Sequence, residues 1–571
     1  MAFAKKDSDM TQGTIWKLLL EFAVPMAIGL IFQQLYNTVD TIIVGRFVGK
    51  EALAAVGSTG SIINMLVGLC SGLATGASVV ISQSYGAKDD RRLSDAVHTS
   101  LGIALILCVL VTFLGLLITR PMLQVMDTPA DVIDQSTTYL SIYFAGVSGL
   151  LLYNMGSGIL RAVGDSRRPL YFLCFSAVLN VIFDLLFVLA FDLGVAGVAY
   201  ATILSQFLSA LLSLWVLTNT KEAYGIRWKR LRIIPETFRE ILRIGLPSGI
   251  QQALTSFSNV FVQSHINAFG SAAMAGWATY NKLDVFALVP MMAVATGSTT
   301  FVGQNIGAGN YRRTRQGVKT SLTMAVGSTV FLVGVMLVFA QDLLKIFSQD
   351  TEVLDFAWRF MRIVAPFYFC SCFNQIFAGA LRGAGNAKGP MFIMLGSFVL
   401  FRQAYLAVTK LLGSPFVMVA LAYPMGWICC SILMYLAYRR SPICLLDGEP
   451  AGRHRPDGQP LPAPDPCGGT AAGRAGPPPD EPLLGRGGRH DALCQQYRRA
   501  GGICRGGRGE GRYRQDRGPG GDHCRRARRR GRHHQHDPRP AGGRLPGERR
   551  GHRRPEGLRP PVRLPLPGGG G

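Results

Sequence analysis

Gln83-Ser-Tyr-Gly86-Ala87-Lys-Asp-Asp-Arg91-Arg92 and Gln304-Asn-Ile-Gly307-Ala308-Gly-Asn-Tyr-Arg312-Arg313 carry nearly the same punctuation, about 220 residues apart. Each closes a long apolar segment with a Gly-Ala turn and a pair of arginines. Other blocks keep nearly the same offset. Pro25 and Asn37 answer to Pro247 and Asn259, and Ile159-Leu-Arg161-Ala-Val-Gly164 answers to Ala380-Leu-Arg382-Gly-Ala-Gly385. A duplicated half in an apolar chain implies two membrane bundles facing each other, an architecture typical of secondary transporters.

Working outward, the chain divides near Arg440. Before it, runs rich in Leu, Ala, Val, Ile and Phe alternate with short polar loops. Their length exceeds that of a buried core helix and matches a bilayer. The pattern predicts an all-α polytopic membrane protein of about twelve spans, near 15–44, 52–84, 94–119, 134–160, 168–191, 195–218, 238–266, 273–305, 315–340, 354–381, 389–411 and 415–438. Residues 1–218 form an N-lobe of six spans, 219–237 a basic linker on the cytoplasmic side, and 238–440 a C-lobe of six spans. The second and eighth spans are longer than a vertical crossing needs, so they tilt or project beyond the hydrocarbon.

Residues 441–571 form a different polymer, dominated by Arg, Gly and Pro and lacking Lys, Asn, Phe, Met and Trp. Of the formal charge of +24, about +13 lies there and about +11 in the membrane part. That division argues against a nucleic-acid partner for the membrane part. The tail reads as disordered, and its composition is that of a GC-rich coding region translated in a shifted frame. The alternative is a genuine disordered tail that binds RNA or lipid.

The seven cysteines before residue 441 fall mostly within apolar segments and show no metal-ligand spacing. The first apolar segment is too long for the core of a cleavable leader, so it is read as the first span. Lys88, Arg91, Arg92, Arg167, Arg168, Arg227, Lys229, Arg312 and Arg313 lie in the loops after even-numbered spans, whereas the opposite loops hold Asp127, Asp131, Asp134, Asp350 and Glu352. The positive-inside rule puts the basic loops and both termini in the cytoplasm, in a cytoplasmic-membrane protein. Six spans per half leave the halves parallel, related by a pseudo-two-fold axis along the membrane normal.

An ionised side chain at bilayer depth costs at least about 2.5–3.5 kcal/mol on insertion scales, so each one needs a reason. In Gln33-Gln-Leu-Tyr36-Asn37-Thr-Val-Asp40, helical spacing puts Gln33, Tyr36, Asn37 and Asp40 on one face. Asn180 and Asp184 are spaced i, i+4 in the fifth span. Two polar stripes, each with one carboxylate, point to a hydrated cavity within the first bundle. A carboxyl group in such a setting loads and releases a proton near neutral pH. A purely structural role, bonded to neighbouring helices, is the other reading of both acids.

The second half has no acid matching Asp40. Lys282 and Asp284, at i, i+2, face apart and read as members of structural ion pairs made elsewhere. Arg402, in the middle of the eleventh span, is open to substrate contact, to pairing with an acid across the cavity, or to packing. The glycines of the opening motif read as turn formers. No nucleotide-binding, zinc-hydrolase or nucleophile-elbow motif is visible, so the chain is read as a non-enzyme without cofactors other than a coupling ion.

On Gln33–Gly49, Gly76–Arg92, Leu160–Pro169, Asn180–Thr202, Phe301–Arg313 and Ala380–Pro390, the membrane part resembles the multidrug and toxic compound extrusion (MATE) family. The resemblance implies two six-helix lobes opening alternately to the two sides, and export of amphipathic, often cationic, small molecules by cation-coupled antiport. It implies a coupling site at Asp40 and Asp184, for H+ or Na+, with Gln33, Tyr36, Asn154, Asn180 and Thr202 as neighbours. Lacking a seventh-span acid, the chain leans toward the proton-coupled, DNA-damage-inducible branch, and it is expected to act as a monomer among membrane lipids. A flippase for lipid-linked oligosaccharides, which shares the two-lobe plan, and a non-transporting scaffold are the alternatives.

Overall fold

The computed structural model describes residues 9–445, apart from 127, 131, 414 and 415. Asp127 and Asp131, and all of the tail from residue 446, therefore lie outside the described residues. Within them every regular element is helical. The cause is the solvent: backbone polar groups in hydrocarbon must find partners inside their own segment.

The N-lobe comprises six spans: Ile15–Val48, Glu51–Gly86, Asp90–Val125, the pair Ile133–Ala145 and Val147–Ala162, Arg167–Ala190, and Gly194–Asn219. The C-lobe comprises Pro235–Asn267, Ser271–Gly307, Tyr311–Val338, Thr351–Gly383, Lys388–Leu411 and Phe416–Arg439. Ten of these are long and apolar enough to cross a membrane, and the bent fourth makes eleven. The seventh, Pro235–Asn267, has the length at 33 residues but is more polar. Near one end it carries Glu236, Arg239, Glu240 and Arg243, and midway along it Gln251 and Gln252.

The repeat is visible in the irregularities as well. The fourth span bends by 46° at Gly146, where a Cβ would come within 2.4 Å of Ile203. At the corresponding place the tenth span tightens into a 3-10 turn, Ala365–Phe367, around Pro366. The fifth span ends in a widened π turn, Leu186–Ala190, and its counterpart, the eleventh, contains one at Gly396–Phe401.

The lobes meet along glycines. A Cβ on Gly72 would lie 2.1 Å from the Gly249 nitrogen, and one on Gly76 would lie 2.6 Å from that of Gly245. Gly72-x-x-x-Gly76 of the second span thus crosses Gly245-x-x-x-Gly249 of the seventh, backbone on backbone. This is the small-residue packing by which membrane helices gain van der Waals contact without a hydrophobic driving force.

The opening motif has a different role from the one its spelling suggests. A Cβ on Gly86 would lie 1.9 Å from the Gln304 carbonyl oxygen, and one on Gly307 would lie 2.0 Å from that of Gln83. Both glycines close the second and eighth helices on each other. The left-handed turn residues come two places later, at Lys88 (φ 54°) and Gly309 (φ 70°). The expectation that these glycines form the turn is therefore corrected: they permit contact between lobes.

The linker is pinned to the N-lobe. Arg232 pairs with Asp95 at 3.0 Å, the Arg227 amide meets His98 Nε2 at 3.0 Å, and Tyr224 and Ile226 are buried. The packed chain also runs past Arg440, through the short helix Pro442–Leu445, with Ser441 and Ile443 buried.

Candidate functional site

A cavity of about 550 Å³ lies between the lobes, lined from spans of both halves. Gln33, Tyr36, Asn154, Asn180 and Thr202 are among its lining residues. Its far wall comes from the C-lobe, through Ser248, Gln251, Gln252, Thr299 and Gln375. The expectation of a cavity inside the first bundle is thus corrected, because the helical stripes of the N-lobe face the lobe interface. Amide and hydroxyl groups dominate the polar wall, and the volume suits a drug-sized molecule.

Asp40 and Asp184 do not line this cavity. They sit beside it inside the N-lobe, beyond Tyr36 and Asn180 along the first and fifth helices. There the two carboxyl groups are electrostatic neighbours. Asp184 and Asn180 are buried at 0% and 1% exposure. Neither Asp184 oxygen, nor Asp40 Oδ1, accepts a hydrogen bond from a protein donor. Two neighbouring carboxyl groups repel each other when both are ionised, so the arrangement favours a shared proton or cation.

Tyr139 interacts electrostatically with both acids, and Tyr36 with Asp40. Sequence reasoning missed Tyr139. Its signal was its place one helical turn before Tyr143 in the fourth span, stacked on it at 6.5 Å. Nothing in the spelling says which way that turn faces.

Asn37 shares the first helix with these groups but is exposed, away from the cavity wall; its carbonyl accepts from Thr41 Oγ1 at 2.8 Å. Asn154 is held by its own helix, Nδ2 donating to the Leu150 carbonyl at 3.0 Å. Arg402 is also outside the cavity lining. It is 3% exposed in the C-lobe, donates to Ser258 Oγ at 2.8 Å and Asn259 Oδ1 at 2.9 Å, and lies 5.0 Å from the Tyr423 ring centroid. Its partners are neutral, so the acid pairing considered from the sequence is not made.

Lys282 and Asp284 depart from expectation as well. Among the described residues neither is in an ion pair. Asp284 accepts from the Tyr280 hydroxyl at 3.1 Å, and Lys282 lies 5.4 Å over the Phe347 ring.

Two arginines that the sequence reading treated only as repeat markers complete the wall. Arg161 and Arg382 occupy equivalent places in the two repeats, and both line the cavity. Each directly precedes a latch between the lobes. Gln304 Nε2 donates to the Ala162 carbonyl at 2.9 Å, and Gln83 Nε2 donates to the Gly383 carbonyl at 2.8 Å. Gln304 is further fixed by the N-terminal segment, whose Met10 amide donates to its Oε1 at 2.9 Å. The cavity is therefore sealed at the end that carries the basic loops.

The MatE family profile matches residues 25–186 and 247–405. The probable multidrug resistance protein YpnP of Bacillus subtilis is 28% identical over 441 residues, covering 76% of this chain and 98% of the relative. The probable multidrug resistance protein NorM of Thermotoga maritima is 26% identical over 397 residues, covering 66% and 82%. Among solved structures, an outward-facing multidrug-resistance MATE-family transporter of the MOP superfamily superposes with a TM-score of 0.72 at 24% identity, covering 76% of this chain and 98% of that one. With the profile on both repeats and the two-lobe fold in place, the chain belongs to the MatE family.

Proposed function

We propose that the chain is a secondary multidrug efflux transporter that exchanges small amphipathic molecules for a coupling cation, by alternating access of its two lobes. The carrying observation is the neighbouring pair of half-buried Asp40 and buried Asp184, inside one lobe beside a cavity that both lobes share. Charging or neutralising that pair changes the hydrogen bonding of the first and fifth helices. Through Tyr36 and Asn180 it also changes the wall seen by a substrate. The multidrug naming of YpnP and NorM agrees with export.

Protons suit the pair better than Na+. Two neighbouring carboxyl groups are satisfied by one shared proton, which removes the repulsion between like charges. This reading groups the chain with the proton-coupled, DNA-damage-inducible branch. The basic loops lie in the cytoplasm, so the sealed end is cytoplasmic and the conformation faces outward. The transporter works as a monomer in the cytoplasmic membrane.

Purified protein in liposomes under an imposed pH or Na+ gradient tests the reading. Efflux driven by the pH gradient, and abolished in Asp40→Asn, is the expected result. Unchanged gradient-driven efflux in that variant would remove Asp40 from the mechanism, and a response only to Na+ would reassign the ion.

A further inference from the structure

We propose that the cavity floor is an anion subsite formed by Arg161 and Arg382, so that the preferred substrates carry a carboxylate, sulfonate or phosphate on an amphipathic body. The inference rests on the transporter reading and narrows its substrate class.

Arg161 and Arg382 are the charged side chains among the described residues lining the cavity, one from each lobe. Neither is in an ion pair among the described residues. Arg382 Nη1 meets only the neutral Gln251 Oε1, at 3.4 Å, and Arg161 has Tyr153 as its electrostatic neighbour. Each lies in the last turn of its helix, where the carbonyl ends offset about half a charge at most. Two half-buried guanidinium groups without carboxylates leave a net positive floor, and removing such charges from water without a partner is costly. The protein's own acids near the cavity, Asp40 and Asp184, are not part of its lining. A guanidinium fork matches carboxylate and phosphate geometry with two parallel hydrogen bonds.

The arginines also tie the ligand to the gate. Arg161 precedes Ala162 and Arg382 precedes Gly383, the two carbonyls that Gln304 and Gln83 hold. An anion bridging both guanidinium groups would draw the two lobes together where they are latched.

The test is equilibrium binding and pH-driven transport of carboxyfluorescein and ethidium by the full chain in phosphatidylcholine vesicles. The expected result is tighter binding of carboxyfluorescein, weakened about tenfold or more by Arg161→Gln or Arg382→Gln, largely restored by Lys at either position, with ethidium unaffected. Tighter binding of ethidium, or carboxyfluorescein affinity unchanged in the Gln variants, overturns the proposal. So does equal loss for both dyes in the Gln and Lys variants, which marks a structural role. Adding phosphatidylglycerol separates two sources of the anion: competition assigns the floor to lipid headgroups, and its absence to soluble solutes. Selective binding without gradient-driven movement of either dye would leave the subsite standing and sink the transport reading instead.

Discussion

Gln304 of the C-lobe donates its side-chain amide to the carbonyl of Ala162 in the N-lobe at 2.9 Å. The repeat reproduces this bond in reverse, from Gln83 to Gly383 at 2.8 Å. Each glutamine caps the carbonyl end of a helix in the opposite lobe, next to a glycine that lets the second and eighth helices touch. The sealed face is thus held by two copies of one contact. This explains why the motif is spelled twice.

Breaking one copy should loosen the seal without dismantling either lobe. A neutral hydrogen bond contributes about 1 kcal/mol, which is roughly a fivefold shift in a two-state equilibrium. Gln83→Ala is therefore expected to raise the inward-open population about fivefold. Spin labels placed across the basic-loop face read this as a longer distance; an unchanged distribution counts against the latch.

Gly86→Ala should act more strongly. Its Cβ would fall 1.9 Å from a backbone oxygen that has no rotamer to escape into. The sealed state becomes inaccessible and transport is lost. Gly327→Ala is the control, because a Cβ there meets nothing within 4 Å. In a helix interior that change stabilises by up to about 1 kcal/mol. Equal damage from both substitutions would refute the close-contact argument.

For Asp184→Asn the expected outcome is retained dye binding with loss of uphill movement. A neutral amide next to Asp40 no longer needs a proton to be compatible with it. Proton uptake on substrate release, followed with a pH-sensitive dye in lightly buffered detergent, should fall below detection. Full proton exchange in this variant would place coupling elsewhere.

Arg402→Met separates structure from transport. Ser258 and Asn259 lose their charged donor, and removing one partner of such a buried set costs about 1–3 kcal/mol. Thermal unfolding in detergent should come several degrees lower. Carboxyfluorescein affinity should stay within twofold of wild type, because Arg402 lies outside the cavity lining; a selective loss of dye binding would bring it back into the site.

Truncation after Leu445 should leave folding and efflux intact, whereas truncation after Arg440 removes the buried Ser441 and Ile443. Size-exclusion profiles of the two shortened proteins decide this. Reading the gene in its other frames tests the origin of the Arg-Gly-Pro-rich tail.

Apolar run length, the doubled motif and loop charge are local properties, and they determined the helical class, the two lobes and the approximate spans. A strong requirement at single positions also drew attention to Asp40, Asp184, Gln33, Tyr36 and Asn180, since polar groups at that depth need a reason, while Thr202 came from the family resemblance. What sequence could not decide was which faces meet. A helical stripe fixes the residues that share a side but not the neighbour that side finds, so the cavity could be placed inside one lobe when it lies between two. Gly86 and Gly307 looked like turn formers because a glycine's freedom is local, while the backbone oxygen opposite each comes from the other half of the chain. Arg161 and Arg382 entered the sequence reading only as repeat markers, and only the apposition of the lobes brings them to one cavity. Tertiary structure alone decided these points, because they depend on contacts between residues well over a hundred positions apart.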